Sequence, residues 1–344
     1  SDLAERFLWE PRWHFCNVFG AHYEQAWSQN SNNGELLPQT LKILNMTTTP
    51  PPLRKPNPLA GQRIAILSCI HGNMAALEAV WDDLNAQDVD SVYCLGDLVG
   101  YGPFPNEVIK FVQDQDIPSV LGCWDEGIGM EREDCGCKFI TEEDAENGHA
   151  AFEWTRSEIT ESNRKFLSEL YFGQRITDTN AGSLLLVHGS PRSTGEYLME
   201  STHDLILFER AAAGDCDILI CGHTHVPFVR QIEGTMRVTA EQGVKDAIQK
   251  DLGMIKGAAP REVRLKPKLL INAGSVGEPR HGGIEATYVI FNTETQAVEI
   301  REVPYDVKAT VKALKKSGLP ESFAARLEQG EELAGKNKDI TCAC

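Results

Sequence analysis

Two histidines separated by a single residue, His223 and His225, are the residues of this sequence best suited to binding a metal ion. They follow an apolar run, 217–221, and Gly222 allows the backbone to turn sharply before the first imidazole. Imidazole is the commonest metal ligand in proteins, and its neutral form suits zinc, iron, manganese or nickel. A His-x-His pair also occurs outside metal sites, so the interpretation depends on the motifs that accompany it.

Polar motifs follow five other apolar runs of the chain. These motifs are Ser68-Cys69-Ile70-His71-Gly72-Asn73, Gly96-Asp97 with Gly100-Tyr101-Gly102, Gly122-Cys123-Trp124-Asp125, His188-Gly189-Ser190-Pro191 and the segment 272–280. In an open α/β sheet, ligands bind beyond the carboxyl ends of the strands, so these segments are expected to converge. Each motif alone is also typical of a turn or a helix cap. The occurrence of His71, Asp97, His188, His223 and His225, each at the end of a strand, nevertheless predicts a metal site.

The elements that must position these residues alternate between strand and helix from residue 63 onward. Continuous apolar runs predict strands buried on both faces, and apolar residues at helical spacing predict the helices between them. Strands are expected over 64–67, 91–95, 117–121, 183–187, 218–220 and 268–271, with a closing hairpin over 287–303. Helices are expected over 73–85, 105–113, 142–170 with a break near Thr160, and 306–332. The pattern predicts an α/β fold.

The sequence suggests three regions. Residues 1–60 form an N-terminal extension that is aromatic-rich at first and proline-rich at its end, which favours an extended linker. Residues 61–305 form the main domain, in which the charged segment of about 233–268 is interpreted as an insertion. Residues 306–344 form a helical tail with a break at Gly318-Leu319-Pro320. The aromatic part could form a short helical segment that docks on the main domain, on a second copy of the chain or on another protein, and the sequence leaves this choice open.

Composition narrows the classes of partner. The 344 residues carry a formal net charge of −17, which makes nucleic acid an unfavourable partner because phosphate backbones attract clustered lysine and arginine. No run approaches the length of a membrane-spanning segment, and residues 1–6 lack the pattern of a secretion signal. We therefore expect a cytoplasmic protein without membrane contacts. In that setting the ten cysteines indicate metal ligands or buried thiols rather than a disulfide framework.

Taken together, the motifs resemble those of the calcineurin-like metallophosphoesterases, and in particular a small bacterial phosphodiesterase-like branch. The resemblance covers about residues 62–330. It implies a four-layer αββα sandwich with a two-metal centre at the strand ends. It also implies that Asp97 bridges two metal ions. One ion would be bound by His71, His225 and the residue at position 69. The other would be bound by His188, His223 and the residue at position 123. Asn73 is then a candidate for orienting the substrate, and Arg280 for contacting phosphate oxygens.

The chain departs from the family at two of these positions. Cys69 stands where the family has an aspartate, and Cys123 stands where it has an asparagine. Because loss of a site rarely installs two thiols in it, we interpret the change as altered metal chemistry. A thiolate is a soft ligand, which favours iron or zinc, with manganese remaining an alternative. Trp124 also occupies a position where many members have a histidine that protonates the leaving group, and an indole cannot serve as a general acid.

Two further cysteine pairs occur outside the family motifs. Cys135-Gly136-Cys137 follows Cys123 closely, and Cys342-Ala343-Cys344 ends the sequence. The first pair could enlarge the centre to an iron–sulfur or other extended cluster, although the usual Cys-x₂-Cys spacing is absent. The alternatives are a redox-active disulfide or thiols without a specific role, and for the C-terminal pair we prefer these alternatives.

Two functions are the main hypotheses, and a third, a non-catalytic scaffold that binds through the aromatic extension, is less favoured because five of the family's ligands remain. The first is a metal-dependent phosphoesterase that hydrolyses a small phosphomonoester or phosphodiester, with a metal-activated hydroxide attacking phosphorus in line at a thiolate-containing centre. The second is a diverged fold whose iron, iron–sulfur or other soft-metal centre serves redox chemistry, sensing or a non-hydrolytic reaction.

Overall fold

The structure is a computed structural model that describes residues 53–54, 63–137, 139, 141–233, 235–238, 261–264 and 266–330. The strands are β1 (Leu53–Arg54), β2 (Arg63–Leu67), β3 (Ser91–Cys94), β4 (Gly173–Thr179), β5 (Gly182–Val187), β6 (Ile218–Cys221), β7 (Phe228–Ile232), β8 (Thr235–Val238), β9 (Arg261–Arg264), β10 (Lys268–Asn272), β11 (Ala286–Asn292) and β12 (Val298–Val303). The helices are α1 (Met74–Asn85), α2 (Pro105–Asp114), α3 (Cys123–Gly129), α4 (Glu142–Glu158), α5 (Glu161–Ser168), α6 (Asp204–Ala213), α7 (Val307–Ser317) and α8 (Glu321–Gln329).

These strands form two main sheets. The six-stranded sheet has the order β1-β4-β5-β6-β10-β7, and the four-stranded sheet has the order β12-β11-β2-β3. Strands β5, β6 and β10 are mutually parallel, as are β2 and β3, whereas β11 runs antiparallel to both β2 and β12. The carboxyl ends of the parallel strands therefore lie together within each sheet. The chain divides into two compact units; β8 and β9 pair with each other in the smaller one, and the site described below belongs to the larger.

Alternating side chains of the two sheets build the interior. Ile64 and Ile66 of β2 share a buried cluster with Leu184 and Leu186 of β5 and with Ile220 of β6, so the two sheets pack face to face. Ala65 and Leu67, which alternate with these isoleucines along β2, face the other way and belong to a second buried cluster with residues of helices α1 to α5, α7 and α8. Helix α6 packs against β10 on the outer face of the six-stranded sheet. The expected αββα arrangement is confirmed.

Local sequence explains where most helices begin. The side chains of Asn73, Thr141, Thr160 and Asp306 each accept a hydrogen bond from a backbone N–H in the first turn of α1, α4, α5 and α7. The predicted break near Thr160 is therefore confirmed, and α7 ends as expected at Gly318, which has a φ of 88°. None of the described helices combines the length and apolar character needed to cross a bilayer.

One predicted strand is wrong. Residues 117–121 make only isolated bridges, from Cys94 to Ser119 and from Val120 to Tyr171. Pro118 lacks the backbone N–H that a continuous ladder requires, which explains the irregular pairing. Of the three predicted regions, the extension is described only at 53–54, the insertion only in part, and the tail only to residue 330. The three-region organisation stays a prediction.

Candidate metal centre

The first of two groups of metal-binding side chains comprises Cys69, His71, Asp97 and His225. Their ligand atoms all lie within 4.8 Å of one another, and all four residues are buried. The Nε2 atoms of His71 and His225 are 3.1 Å apart, and His71 Nε2 lies 3.6 Å from Asp97 Oδ2. Four donors of these types, facing one another without solvent, are suited to holding a cation.

The second group comprises Asp97, Cys123, His188 and His223, and it shares Asp97 with the first. Asp97 Oδ2 lies 3.1 Å from His188 Nε2 and 3.5 Å from Cys123 Sγ. His223 Nδ1 lies 3.2 Å from His188 Nε2 and 3.6 Å from Cys123 Sγ. A carboxylate placed in both groups can bridge two cations and reduce their mutual repulsion.

The separations between donors fit a tetrahedral ion. Zinc–nitrogen bonds of about 2.0–2.1 Å and zinc–sulfur bonds of about 2.3 Å place two nitrogen ligands about 3.3 Å apart, and a nitrogen–sulfur pair about 3.6 Å apart. The two histidine pairs, at 3.1 and 3.2 Å, and the His223–Cys123 pair, at 3.6 Å, lie close to these values. The residues present therefore fit two metal ions.

Hydrogen bonds to backbone carbonyls fix the orientation of three imidazoles. The outer nitrogens donate as follows: His71 Nδ1 to Val99 O at 2.9 Å, His188 Nδ1 to Leu95 O at 2.8 Å, and His225 Nδ1 to Glu278 O at 2.6 Å. A ring that donates from Nδ1 presents a lone pair on Nε2, which here faces the centre. His223 is turned the other way, with Nδ1 inward, and its buried Nε2 has no hydrogen-bond partner among the described residues.

An unusual backbone conformation places five of the predicted ligands. Cys69, His71, Asp97, His223 and His225 all have φ values between 48° and 64°, in the left-handed region that residues other than glycine rarely adopt. Backbone hydrogen bonds hold the strand-end loops, with Cys69 N donating to Gly96 O at 3.0 Å and His71 N donating to Asp97 O at 2.9 Å. Such conformations persist only where the surroundings enforce them, and they concentrate at functional sites.

Burial sets the protonation of the donors. Desolvation lowers the pKa values of His71 and His223, and for His225 it acts with the nearby charge of Arg280 to lower the pKa to about 3. Burial raises the pKa values of Cys69 and Cys123, and the negative charge of Asp97 raises them further. His71, His223 and His225 are thus neutral at pH 7, as metal binding requires. Burial opposes the charged form of His188 as well, but the neighbouring Asp97 carboxylate outweighs it and raises the pKa of this imidazole. The thiols need a cation to become thiolates.

Asp125 supports the loops that carry the ligands. Its Oδ1 accepts hydrogen bonds from the backbone N–H groups of Leu98 and Val99, at 2.9 and 3.4 Å, and its Oδ2 accepts one from Gly122 N at 3.1 Å. Burial and the neighbouring Asp97 charge raise the pKa of Asp125 to about 7. Its contacts tie the Asp97 loop to the start of α3, beside Cys123.

Arg280 lies at the centre and is held by an acidic partner. Its Nη2 donates to Glu278 Oε2 at 2.6 Å, its guanidinium lies 5.6 Å from the ring centroid of Tyr101, and its backbone N–H donates to His225 O at 3.1 Å. Glu278 also faces Arg326 of α8, with 3.5 Å between Oε1 and Nη1. A partly buried positive charge beside two cation sites suits an anionic substrate.

Asn73 makes four contacts with the protein. Its Nδ2 donates to Gly277 O at 2.9 Å and to Tyr305 Oη at 3.3 Å, while its Oδ1 accepts from Ala76 N at 3.2 Å and from Thr310 Oγ1 at 2.8 Å. These bonds cap α1 and fasten the segment before α7. They give Asn73 a structural role, and its predicted role in orienting the substrate stays a prediction.

Three residues beside the centre were missed by sequence reasoning. Tyr101 packs between His71 and Trp124, with ring centroids 4.8 and 4.7 Å away, and Tyr197 lies 4.0 Å from the His223 ring. Glu278 is the third. Tyr101 and Glu278 stand inside strand-end motifs, so their positions carried a signal. Nothing in the local sequence marks Tyr197.

Two pairs of cysteines lie outside the family motifs. Cys135 and Cys137 form a disulfide, and Cys137 Sγ lies 3.3 Å from Cys123 Sγ. The predicted proximity of this pair to the centre is therefore observed, while an iron–sulfur or extended cluster stays a prediction. Cys342 and Cys344 lie outside the described residues.

Two face-to-face sheets with a shared carboxylate between two donor groups at their strand ends define a metal-dependent phosphoesterase. The chain belongs to the calcineurin-like phosphoesterase superfamily, whose domain model matches residues 63–296, more than half of the chain. It is accordingly a metallophosphoesterase-like hydrolase that uses divalent metal ions and acts on small phosphorylated substrates.

Three proteins illustrate the relationship. An uncharacterized protein of Methanocaldococcus jannaschii is 33% identical over 272 residues, which cover 78% of this chain and 98% of that protein. A metallophosphoesterase from Sphaerobacter thermophilus is 30% identical, with a TM-score of 0.56 over 78% of this chain and 99% of the other. A hypothetical protein from Pyrococcus horikoshii OT3, 19% identical with a TM-score of 0.59 over 78% and 99%, shares the fold.

Proposed function

We propose that this protein hydrolyses a small phosphomonoester or phosphodiester at a two-metal centre in which each metal ion has one cysteine ligand. The observation that carries the proposal is the pair of donor groups that share Asp97, one containing Cys69 and the other Cys123. The first site would be held by Cys69, His71, Asp97 and His225, and the second by Asp97, Cys123, His188 and His223.

The chemical softness of the sulfur and nitrogen donors indicates which metal ions the two sites would prefer. Each site combines one sulfur with imidazole nitrogens and a single carboxylate, a set that favours iron or zinc over magnesium, with manganese a weaker alternative. When bound, two such cations supply the positive charge that acidifies water and stabilises the attacking and leaving oxygens. A sulfur in place of a neutral asparagine adds negative charge and so reduces that acidity.

The residues of the chain then bind and orient the substrate. The Arg280 guanidinium would pair with a phosphate oxygen, and Glu278 would keep it in place. Tyr101 and Trp124 are buried beside His71, where they exclude water from that side of the centre. The indole of Trp124 cannot protonate a leaving group as a general acid, so esters whose leaving groups need no protonation should react best.

The leaving-group preference can be measured directly. We expect kcat to fall steeply as the pKa of the leaving alcohol rises across a series of aryl and alkyl phosphate esters. Exchange of Trp124 for histidine should flatten that dependence, because imidazolium can protonate the departing oxygen. An equally steep slope in both proteins would contradict the assignment of this role to position 124.

Metal content and thiolate substitution test the proposal itself. Anaerobically purified protein should contain two metal ions and hydrolyse a chromogenic phosphate ester. Joint exchange of Cys69→Asp and Cys123→Asn restores the donor set implied by the family resemblance and should raise hydrolysis by roughly 10-fold, the scale on which ligand environment affects such centres. Cys216→Ser, at a buried thiol that donates to Ala211 O, is the control. Metal-free protein with intact fold, or no gain in the double variant, would refute the thiolate centre.

The sulfur-rich second site favours one alternative. Because Cys137 places a second sulfur beside Cys123 of this site, a soft-metal centre with redox or sensing chemistry remains the second candidate. A brown protein with acid-labile sulfide or more than two irons, inert toward phosphate esters, would support it and overturn the hydrolase proposal. A cytoplasmic location and a partner for residues 1–60 stay predictions.

A further inference from the structure

Three cysteine sulfurs form a chain that leads out of the metal centre. Cys123 Sγ faces Asp97 and His223 on one side, and on the other side it lies 3.3 Å from Cys137 Sγ. Cys137 is bonded to Cys135. The sulfur of Cys123, a buried candidate metal ligand, is thus in van der Waals contact with the Cys135–Cys137 disulfide. Neither cysteine of that disulfide belongs to the two groups of candidate ligands.

The distance between the first two sulfurs suits a shared ion. Two thiolates on one tetrahedral zinc stand about 3.8 Å apart, given bonds of about 2.3 Å. The observed 3.3 Å requires an adjustment of only about 0.5 Å, which is small for a side chain on a loop. Cys137 can therefore reach the ion that Cys123 would hold.

Packing holds the cysteine loop against the helix that carries Cys123. A Cβ on Gly127 of α3 would lie 2.8 Å from Asp134 O and 3.2 Å from Cys135 Cα, so only glycine permits this approach. Asp134 Oδ1 accepts a hydrogen bond from Gly136 N at 2.8 Å, and Gly136 has a φ of 68°. The proximity of Cys137 to Cys123 is thus enforced by the fold of the loop.

A cavity reaches the disulfide from the other side. It has a volume of about 910 Å³, and Cys135 and Gly136 are part of its wall together with Arg132, Arg192 and Thr194. Cys135 is itself buried, but it lines this space whereas Cys137 and Cys123 do not, so a small thiol that enters the cavity would meet Cys135 first.

We propose that Cys137 is a second sulfur ligand of the Cys123 metal site, and so the third of the whole centre, released for binding when a small thiol reduces its disulfide with Cys135. The proposal rests on the metal centre proposed above and assigns it a redox control. In the oxidised form Cys137 is engaged with Cys135, and the site keeps Asp97, Cys123, His188 and His223. In the reduced form Cys137 adds a thiolate, which lowers the positive charge of that site.

The reduction balances without any other reactant. A thiolate from the cavity attacks Cys135 Sγ, the Cys135–Cys137 bond breaks, and its electron pair leaves on Cys137. A second thiol resolves the mixed disulfide on Cys135, so two thiols are oxidised to one disulfide and two cysteine sulfurs are reduced. The two protons of the reductant pass to Cys135 and to solvent, since Cys137 remains a thiolate on the ion.

Cobalt substitution can count the sulfurs. Oxidised protein loaded with two Co²⁺ ions should show a near-ultraviolet sulfur-to-cobalt band from Cys69 and Cys123. After reduction with a phosphine and its removal, a third thiolate should raise the band about 1.5-fold. The Cys137→Ser variant should show the lower band intensity before and after reduction. The Cys135→Ser variant, purified anaerobically, should show the higher intensity before and after reduction. The control variant Cys216→Ser should behave as the unchanged protein.

Alkylation provides a second measurement. In reduced, metal-loaded protein, iodoacetamide should modify Cys135 but not Cys137, and chelation should expose both to modification. An unchanged cobalt band in protein whose Cys135–Cys137 bond is shown by mass spectrometry to be reduced would overturn the proposal, as would an equal rise in Cys137→Ser. Failure to take up two cobalt ions would instead refute the metal centre, so the two failures are distinguishable.

Discussion

At the scale of single residues, the centre combines thiols that burial keeps protonated with imidazoles, three of which have a lowered pKa. Sequence could predict that the seven candidate ligand positions lie together, because each follows an apolar run that ends at the same edge of a sheet. It suggested that the Cys135–Cys137 pair reaches the centre, but it could not identify Cys137 as the sulfur beside Cys123, because this contact depends on how a loop packs on α3. Glu278 was likewise overlooked, since its importance lies in the two arginines that fold against it.

Metal binding should therefore release protons. Since the pKa values of Cys69 and Cys123 are raised in the metal-free protein, oxidised protein that binds two zinc ions at pH 7 should release about two protons more than the Cys69→Asp, Cys123→Asn double variant. Calorimetry in buffers of different protonation enthalpy measures this difference. His188, whose pKa is raised, contributes equally to both proteins. Equal release from both proteins would show that the thiols are not ligands.

Glu278 should act as a positioning residue. Burial opposes its ionisation, but Arg280 and His225 together hold the pKa of this carboxyl well below its usual range. Glu278→Gln should raise KM by roughly 10-fold through a misplaced Arg280, with less effect on kcat. Metal content should not change, because the shorter contact of His225 Nδ1, at 2.6 Å, is with the backbone oxygen of Glu278, and an amide oxygen of the glutamine can replace the carboxylate oxygen that lies 3.3 Å from the same nitrogen. Glu285→Gln, in the same loop, is the control, and loss of metal in Glu278→Gln would contradict this account.

At the scale of elements, the sequence patterns predicted regular segments better than irregular ones. The helices over 142–170 divide at Thr160, and the closing hairpin lies over β11 and β12, because caps and alternating apolar residues are local signals. Helices α3 and α6 and strand β4 were not predicted. In α3, Gly127 and Gly129 depart from helical composition and serve close packing instead, against neighbours distant in sequence such as Phe152 and Ser168.

An ion pair that joins α1 to the four-stranded sheet gives a pH-dependent prediction. Partial burial opposes ionisation of Asp83, but hydrogen bonds from Arg301 and Tyr288 outweigh it and lower the pKa of the carboxyl. Because the folded pKa lies below the unfolded value, the stabilisation is present above about pH 4 and is lost as the pH falls through the folded value. Asp83→Asn should cost about 1–2 kcal/mol of unfolding free energy at pH 7 and progressively less below pH 4.

Denaturant unfolding of both proteins across this pH range measures the difference. Asp114→Asn is a suitable control, because its i,i+4 pair with Lys110 is exposed. A cost for Asp83→Asn that does not shrink on acidification would contradict the assigned ion pair.

At the scale of the whole molecule, the proposed ions connect the two sheets. Cys69, His71 and Asp97 follow strands of the four-stranded sheet, whereas His188, His223 and His225 follow strands of the six-stranded sheet. Binding to the folded state alone should add about 2.7 kcal/mol per ion at a free concentration 100-fold above Kd. Chelation should therefore lower Tm by several degrees, and zinc should restore it. The His223→Ala variant should respond less to both, and an unaltered Tm in all cases would show that no ion links the sheets.

The left-handed backbone at five ligand positions has a consequence for how ions exchange. Since sheet pairing and carbonyl acceptors already hold the rings and the carboxylate, an incoming ion has little to rearrange, and a departing one leaves the loops as they were. A preformed site of this kind selects a metal ion by the chemistry of its donor atoms rather than by a conformational change on binding. The ion found in the cell should then follow intracellular supply, and growth in zinc-poor, iron-rich medium should change the occupant without changing the fold.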